Sequence, residues 1–89
     1  MTIHLLVSGE LDLCNAPLLR EAHAREDGGD YHFLIVDLSG VTFLDSSGLH
    51  ALLDIHEADP GRLRIILSRP AARVIDLCKL RATLPIIEG

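Results

Sequence analysis

Apolar residues in this chain alternate between short runs and helical stripes. Residues 3–7 form a run broken only by His4 and closed by Ser8-Gly9, which predicts a strand ending at a turn. Asn15-Ala16-Pro17 then pairs a capping residue with a proline where a first helical turn tolerates one. A helix over residues 16–26 is expected, with Leu18, Leu19 and Ala22 facing inward, and Asp27-Gly28-Gly29-Asp30 ends it as a loop. Residues 33–36 are continuously apolar, the pattern of a central strand buried on both faces, and Asp37 closes the run. Residues 38–44 read as a connector anchored by Val41, Phe43 and Leu44.

From Ser47 the period changes. Leu49, Leu52, Leu53 and His56 recur at the spacing of one helical face, and Asp59-Pro60-Gly61 stops the pattern. Residues 63–67 form another apolar strand carrying Arg64. After the Ser68-Arg69-Pro70 turn, Ala71, Val74, Ile75 and Cys78 repeat the helical spacing, and residues 84–87 predict a last short strand. Alternating strands and helices imply a single α/β domain with a mixed, mainly parallel sheet of about four strands packed against amphipathic helices.

Composition narrows the functional classes. Only Tyr31, Phe33 and Phe43 are aromatic, so Leu, Ile, Val and Ala must build the core. A formal net charge of -5 argues against general binding to nucleic-acid backbones or anionic lipids and favours a basic partner surface. No apolar run reaches the length of a membrane span, and the first residues lack the pattern of a secretory leader, so a cytoplasmic location is expected. In a reducing compartment Cys14 and Cys78 read as small core residues.

The chemistry concentrates at Asp45-Ser46-Ser47-Gly48, where an apolar stretch runs into an amphipathic helix. Two hydroxyls and a carboxylate at a helix N-terminus meet unpaired amides and the positive end of the macrodipole, where anions and phosphoryl groups are tolerated. Gly48 removes a side chain beside Ser47 and would let another protein approach. On composition alone, a simple capping role for Asp45 or a serine is the favoured reading. Other constellations are weaker. His50 and His56 lack metal-ligand spacing, so neither metal nor cofactor is expected. Ser47 with His50 and Asp45 resembles a triad in composition, but glycine flanks the serine on one side only. His56 reads as a partly buried packing residue, Glu10 with Asp12 as a solvated strand end, and Gly28-Gly29 as a loop.

The stretch Asp37-Leu-Ser-Gly-Val-Thr-Phe-Leu-Asp45-Ser-Ser-Gly-Leu49, followed by Ala51-Leu52-Leu53, resembles the signature of the STAS domain in bacterial anti-sigma factor antagonists. Upstream, Gly9-Glu10-Leu11-Asp12 with Ala16-Pro17-Leu18 is similar to the family's Gly-x-Leu-Asp strand end and first helix. The resemblance implies no enzyme but a binding module whose second motif serine, Ser47, is phosphorylated. It implies a partner surface of Asp12, Asp45, Ser46, Ser47, Gly48 and Leu49. The partner implied is an anti-sigma factor with an ATP-binding kinase fold. That partner binds the unphosphorylated domain, releases a sigma factor and is switched off when Ser47 is phosphorylated, until a phosphatase resets the cycle. The same family supplies scaffolding subunits of lipid or anion transporter complexes, the alternative reading. The family's strand before residues 3–7 and its last helix are not represented within residues 1–89. Either the domain is a minimal version, or a dimer partner supplies the flanking elements, or the chain's true ends lie elsewhere; if the first strand is missing, the open sheet edge is expected to be covered by a second chain or by charged side chains. Lys79 replaces a family glycine after the third helix, so a different helix ending is expected there.

Overall fold

The computed structural model describes residues 1–26, 29 and 31–87. Six elements follow in order: β1 (Thr2–Leu11), α1 (Ala16–Glu26), β2 (Phe33–Leu44), α2 (Ser46–Ala58), β3 (Leu63–Leu67) and α3 (Arg69–Leu77). The strands form one sheet in the order β1-β2-β3, parallel at both junctions. This corrects the expected mixed sheet of about four strands. Residues 84–87 contribute a single parallel bridge, Ile65 to Ile86, on the outer side of β3. The loop expected at Asp27, Gly28 and Asp30 lies outside the described residues.

Both β1 and β2 are longer than their apolar runs. β1 continues past Ser8-Gly9 to Leu11 through two irregularities in its register with β2, and Gly9 takes φ +78, which glycine adopts without steric cost. The expected connector over residues 38–44 is the second half of β2, paired to residues 8–11 of β1.

One core holds the molecule together. Leu34, Val36 and Leu38 of β2, with Leu63 and Ile65 of β3, are fully buried against Leu19, Leu52, Ile55, Ala71 and Ile75 of the three helices. The intervening residues of β2 behave differently: Phe33 is 40% exposed and Ile35 is half-buried. The run at 33–36 is therefore buried on one face only, contrary to the expectation. On the other face Arg64 lies over the Phe33 ring at 4.8 Å and His4 approaches Asp37 at 3.5 Å.

Three further expectations change. Leu18 is exposed, whereas Leu19 is buried as expected, with Ala16 and His23 beside it on the inner face of α1. Cys14 and Cys78 are both free and exposed, so neither is a core residue. Lys79 does adopt the left-handed conformation, φ 57. Leu80 N–H donates to the Ile75 carbonyl and Lys79 N–H to the Asp76 carbonyl, each at 3.0 Å, which makes a Schellman ending with lysine in the glycine position.

The far end of the domain is locked by polar groups. Asp59, the C-cap of α2, is buried and accepts from the Tyr31 hydroxyl. Its other oxygen lies 3.3 Å from the Arg62 guanidinium, which stacks over the Tyr31 ring at 3.7 Å. This joins the entry of β2 to the end of α2.

Candidate functional site

The pairing of Leu11 with Leu44 sets the ends of β1 and β2 side by side, so Asp12 and Asp45 follow from neighbouring strands. In open parallel sheets this carboxyl edge, facing helix N-termini, is where sites assemble. Asp12 is half-buried and builds the β1–α1 turn. Its Oδ1 accepts from the amides of Cys14 at 3.0 Å and Asn15 at 3.1 Å, and its carbonyl accepts from Asn15 and Ala16. The Asn15 side chain does not cap α1 as expected; it donates to the Glu10 carbonyl at 2.8 Å and ties the turn back to β1. Leu13, between them, is 72% exposed.

Asp45 is the N-cap of α2. Its Oδ1 accepts from Ser47 N–H at 2.8 Å and Gly48 N–H at 3.1 Å, which occupies two amides that a helix start leaves unpaired. Its own amide donates to the Leu11 carbonyl at 3.3 Å, so the cap is fastened to the end of β1. α2 begins at Ser46, which makes Ser47 its second residue. Ser46 is exposed and Ser47 half-buried.

Gly48 has a different role from the one expected. It is buried, and a Cβ there would stand 2.5 Å from the Leu11 carbonyl oxygen and 2.7 Å from Leu44 Cδ1. The missing side chain makes room for the end of β1. Leu49 is also buried, at 6% exposure, inside the core. Gly48 and Leu49 therefore seat the start of α2, while Asp12, Asp45, Ser46 and Ser47 form the accessible corner. The corner is acidic, with Glu10 exposed close by on β1.

The geometry bears on the rival chemistries too. The Asp45 carboxylate is engaged by backbone amides at the helix start, the work of a cap and not of a group orienting His50. His50 is exposed and His56 half-buried. Among the described residues no cluster of three His, Cys, Asp or Glu side chains could hold a metal, and no helix is long and apolar enough to cross a membrane. Sequence reasoning missed two features near this corner. Leu13 is an apolar side chain left outside the core beside Asp12, and Phe43, expected to anchor a connector, is 50% exposed just before Asp45. The position of Leu13 next to the Gly-x-Leu-Asp segment was the available signal for the first. Phe43 had none, because its strand was not legible.

The model of the STAS domain matches residues 2–87. Among solved structures, an anti-sigma factor antagonist from Mycobacterium paratuberculosis is 32% identical, with a TM-score of 0.87 over 99% of this chain and 78% of that one. The anti-sigma factor antagonist SpoIIAA in its unphosphorylated form is 22% identical, with a TM-score of 0.75 over 99% of this chain and 79% of that one. A sulfate transporter family protein from Wolinella succinogenes is 16% identical, with a TM-score of 0.80 over 96% of this chain and 75% of that one. The last two likenesses speak to the fold alone. No curated protein matches the chain.

Proposed function

The chain belongs to the STAS domain family, and on that premise we propose that it is an anti-sigma factor antagonist switched by phosphorylation of Ser47. The observation that carries the reading is the half-buried Ser47 at the start of α2, beside the Asp45 cap and the turn built by Asp12, in a chain 32% identical to an anti-sigma factor antagonist. In the unphosphorylated form, Asp12, Asp45, Ser46 and Ser47 meet a basic surface of an anti-sigma factor with a kinase fold, and a sigma factor is released. The partner then transfers the γ-phosphoryl group of ATP: Ser47 Oγ gains the new P–O bond, the bond to ADP breaks, and the hydroxyl proton leaves. The domain itself catalyses nothing in this scheme, needs no cofactor and works in the cytoplasm, and a phosphatase restores the hydroxyl.

Phosphate at Ser47 adds a charge of about -1.5 to -2. The amides of Ser47 and Gly48 already bind Asp45, so the phosphate shares the helix N-terminus with a carboxylate instead of replacing it. Like-charge repulsion at that corner, with the desolvation of a dianion, opposes docking. The test is incubation with a kinase-fold anti-sigma factor and ATP, followed by mass spectrometry of the modified peptide. One phosphate on Ser47, absent in Ser47→Ala and retained in Ser46→Ala, is expected; phosphate on Ser46 or binding unaffected by the modification would sink the proposal.

A further inference from the structure

Half of the eight lysines and arginines of this acidic chain are committed to partners. Arg20 pairs with Asp54, Arg62 with Asp59 and Arg81 with Asp76, while Arg64 lies over Phe33. The side chains of Arg69 and Arg73, like those of Arg25 and Lys79, are exposed and make no hydrogen bond or ion pair with any described residue, but only Arg69 and Arg73 share one helix and one cleft. They stand four residues apart on α3, so like charges lie along one helix face and work against it. Arg69 is also the first residue of the helix, where the macrodipole disfavours a cation, and no acidic residue occupies that first turn. Local helix energetics thus oppose both arginines.

The two guanidinium groups flank a cleft of about 290 Å³ between the end of β2 and α3. Phe43, Leu44, Pro70 and Val74 line it. Phe43 is 50% exposed there although aromatic side chains are scarce in this chain, and it stands two residues before Asp45. The cleft is basic and apolar, whereas the adjoining corner at Ser47 is acidic.

We infer that this cleft is a second docking surface, taking an acidic segment of the protein partner: carboxylates on Arg69 and Arg73, and an apolar side chain against Phe43 and Val74. The inference rests on the reading of the domain as an anti-sigma factor antagonist, and it names the part of that partner which meets α3. Charge complementarity selects the occupant, because guanidinium groups bind carboxylates with two parallel hydrogen bonds. A net charge of -5 disfavours a nucleic acid. A basic corner-binding patch and an acidic segment on one partner would fix its orientation, since either half turned around meets like charge.

The experiment compares the affinity of the anti-sigma factor for the parent, for the double variant R69Q/R73Q, and for R25Q/K79Q, which removes the same two charges from elsewhere. Arg25 and Lys79 are likewise exposed and unpaired among the described residues. R69Q/R73Q should bind about tenfold or more weakly with a flatter salt dependence, and R25Q/K79Q within about twofold of the parent. The Tm of R69Q/R73Q should equal or exceed that of the parent, because a repulsive pair is removed, so weak binding cannot be put down to unfolding. Equal losses in both variants would overturn the inference while leaving the function in place. Binding absent from the parent itself would bring down both. Self-association of the parent that R69Q/R73Q abolishes, seen by sedimentation, would overturn it in favour of a second copy.

Discussion

Gly48 supports the candidate site through packing: it lets the start of α2 lie against the end of β1. The nearest atom to a Cβ at this position is a backbone oxygen, Leu11 O at 2.5 Å, and a carbonyl paired in a sheet cannot swing aside as a side-chain end can. Gly48→Ala must push the start of α2 away from β1, loosening the Asp45 cap that is fastened to the same carbonyl. Overpacking of this kind costs about 1–3 kcal/mol. A drop in Tm of roughly 4–8 °C per kcal/mol is expected for a domain this size, together with loss of phosphorylation at Ser47. An alanine variant that melts with the parent would show that the contact relaxes freely. Lys79 makes the opposite case, a residue poorly matched to its conformation. A left-handed lysine costs about 1–2 kcal/mol, while glycine there loses part of that gain to its freer unfolded chain. Lys79→Gly should therefore stabilise the domain by about 0.5–1 kcal/mol, read as a higher midpoint in urea with an unchanged slope.

At the scale of elements, β2 holds both what was legible and what was not. Its apolar start was readable, and so was the helical period of Leu49, Leu52, Leu53 and His56 in α2, although that helix buries Leu49, Leu52 and Ile55 and leaves Leu53 and His56 half-buried. Its second half was not readable, because the spacing of buried residues slips from two to three after Leu38: the next are Val41 and Leu44, and Gly40 breaks the alternation that marks a strand. The run at 33–36 misled for another reason: Phe33 and Ile35 are apolar but sit on the sheet's more open face, and sequence cannot tell an exposed apolar residue from a buried one. The site divides in the same way. The cap at Asp45 was visible from local order, whereas the packing of Gly48 on Leu11 depends on a contact distant in sequence. Asp37 also supplies a pH signal. Hydrogen bonds from the Ser39 hydroxyl and amide, with a smaller contribution from His4, hold its carboxyl below the ordinary value of 3.8. A carboxyl depressed by folding stabilises above its unfolded pKa and loses that contribution as the pH falls through the folded one. Ser39→Ala should thus melt below the parent at pH 7, and the gap should close as the pH falls below about 4. A gap that stays constant from pH 7 to pH 3 would show that Ser39 acts through packing alone.

Across the whole molecule, the polar lock and the proposed switch lie at opposite ends of α2. The core lies between the sheet and the three helices, and the lock of Asp59, Tyr31 and Arg62 closes the C-terminal end of α2, while Ser47 sits at its N-terminal end. Thirteen residues of helix separate the two, close to 20 Å at the usual rise. Sites that far apart, with no shared partners, contribute nearly additively, so a charge added at Ser47 leaves the lock untouched. The local balance at Ser47 is also small: the helix dipole favours a negative charge by about 0.3–1 kcal/mol, and the Asp45 carboxylate opposes it. Binding has no such compensation, because a docked partner must desolvate the added charge beside Asp12 and Asp45. Ser47→Asp should therefore keep the parent's Tm within a few degrees while losing about a hundredfold in affinity for the anti-sigma factor, close to 3 kcal/mol. Part of that loss should be recovered by salt, since repulsion at an exposed corner is screened. Calorimetric titration and thermal melts on the same preparations separate the two quantities. A Ser47→Asp protein that melts early and binds weakly in proportion would place the switch inside the fold and not at its surface.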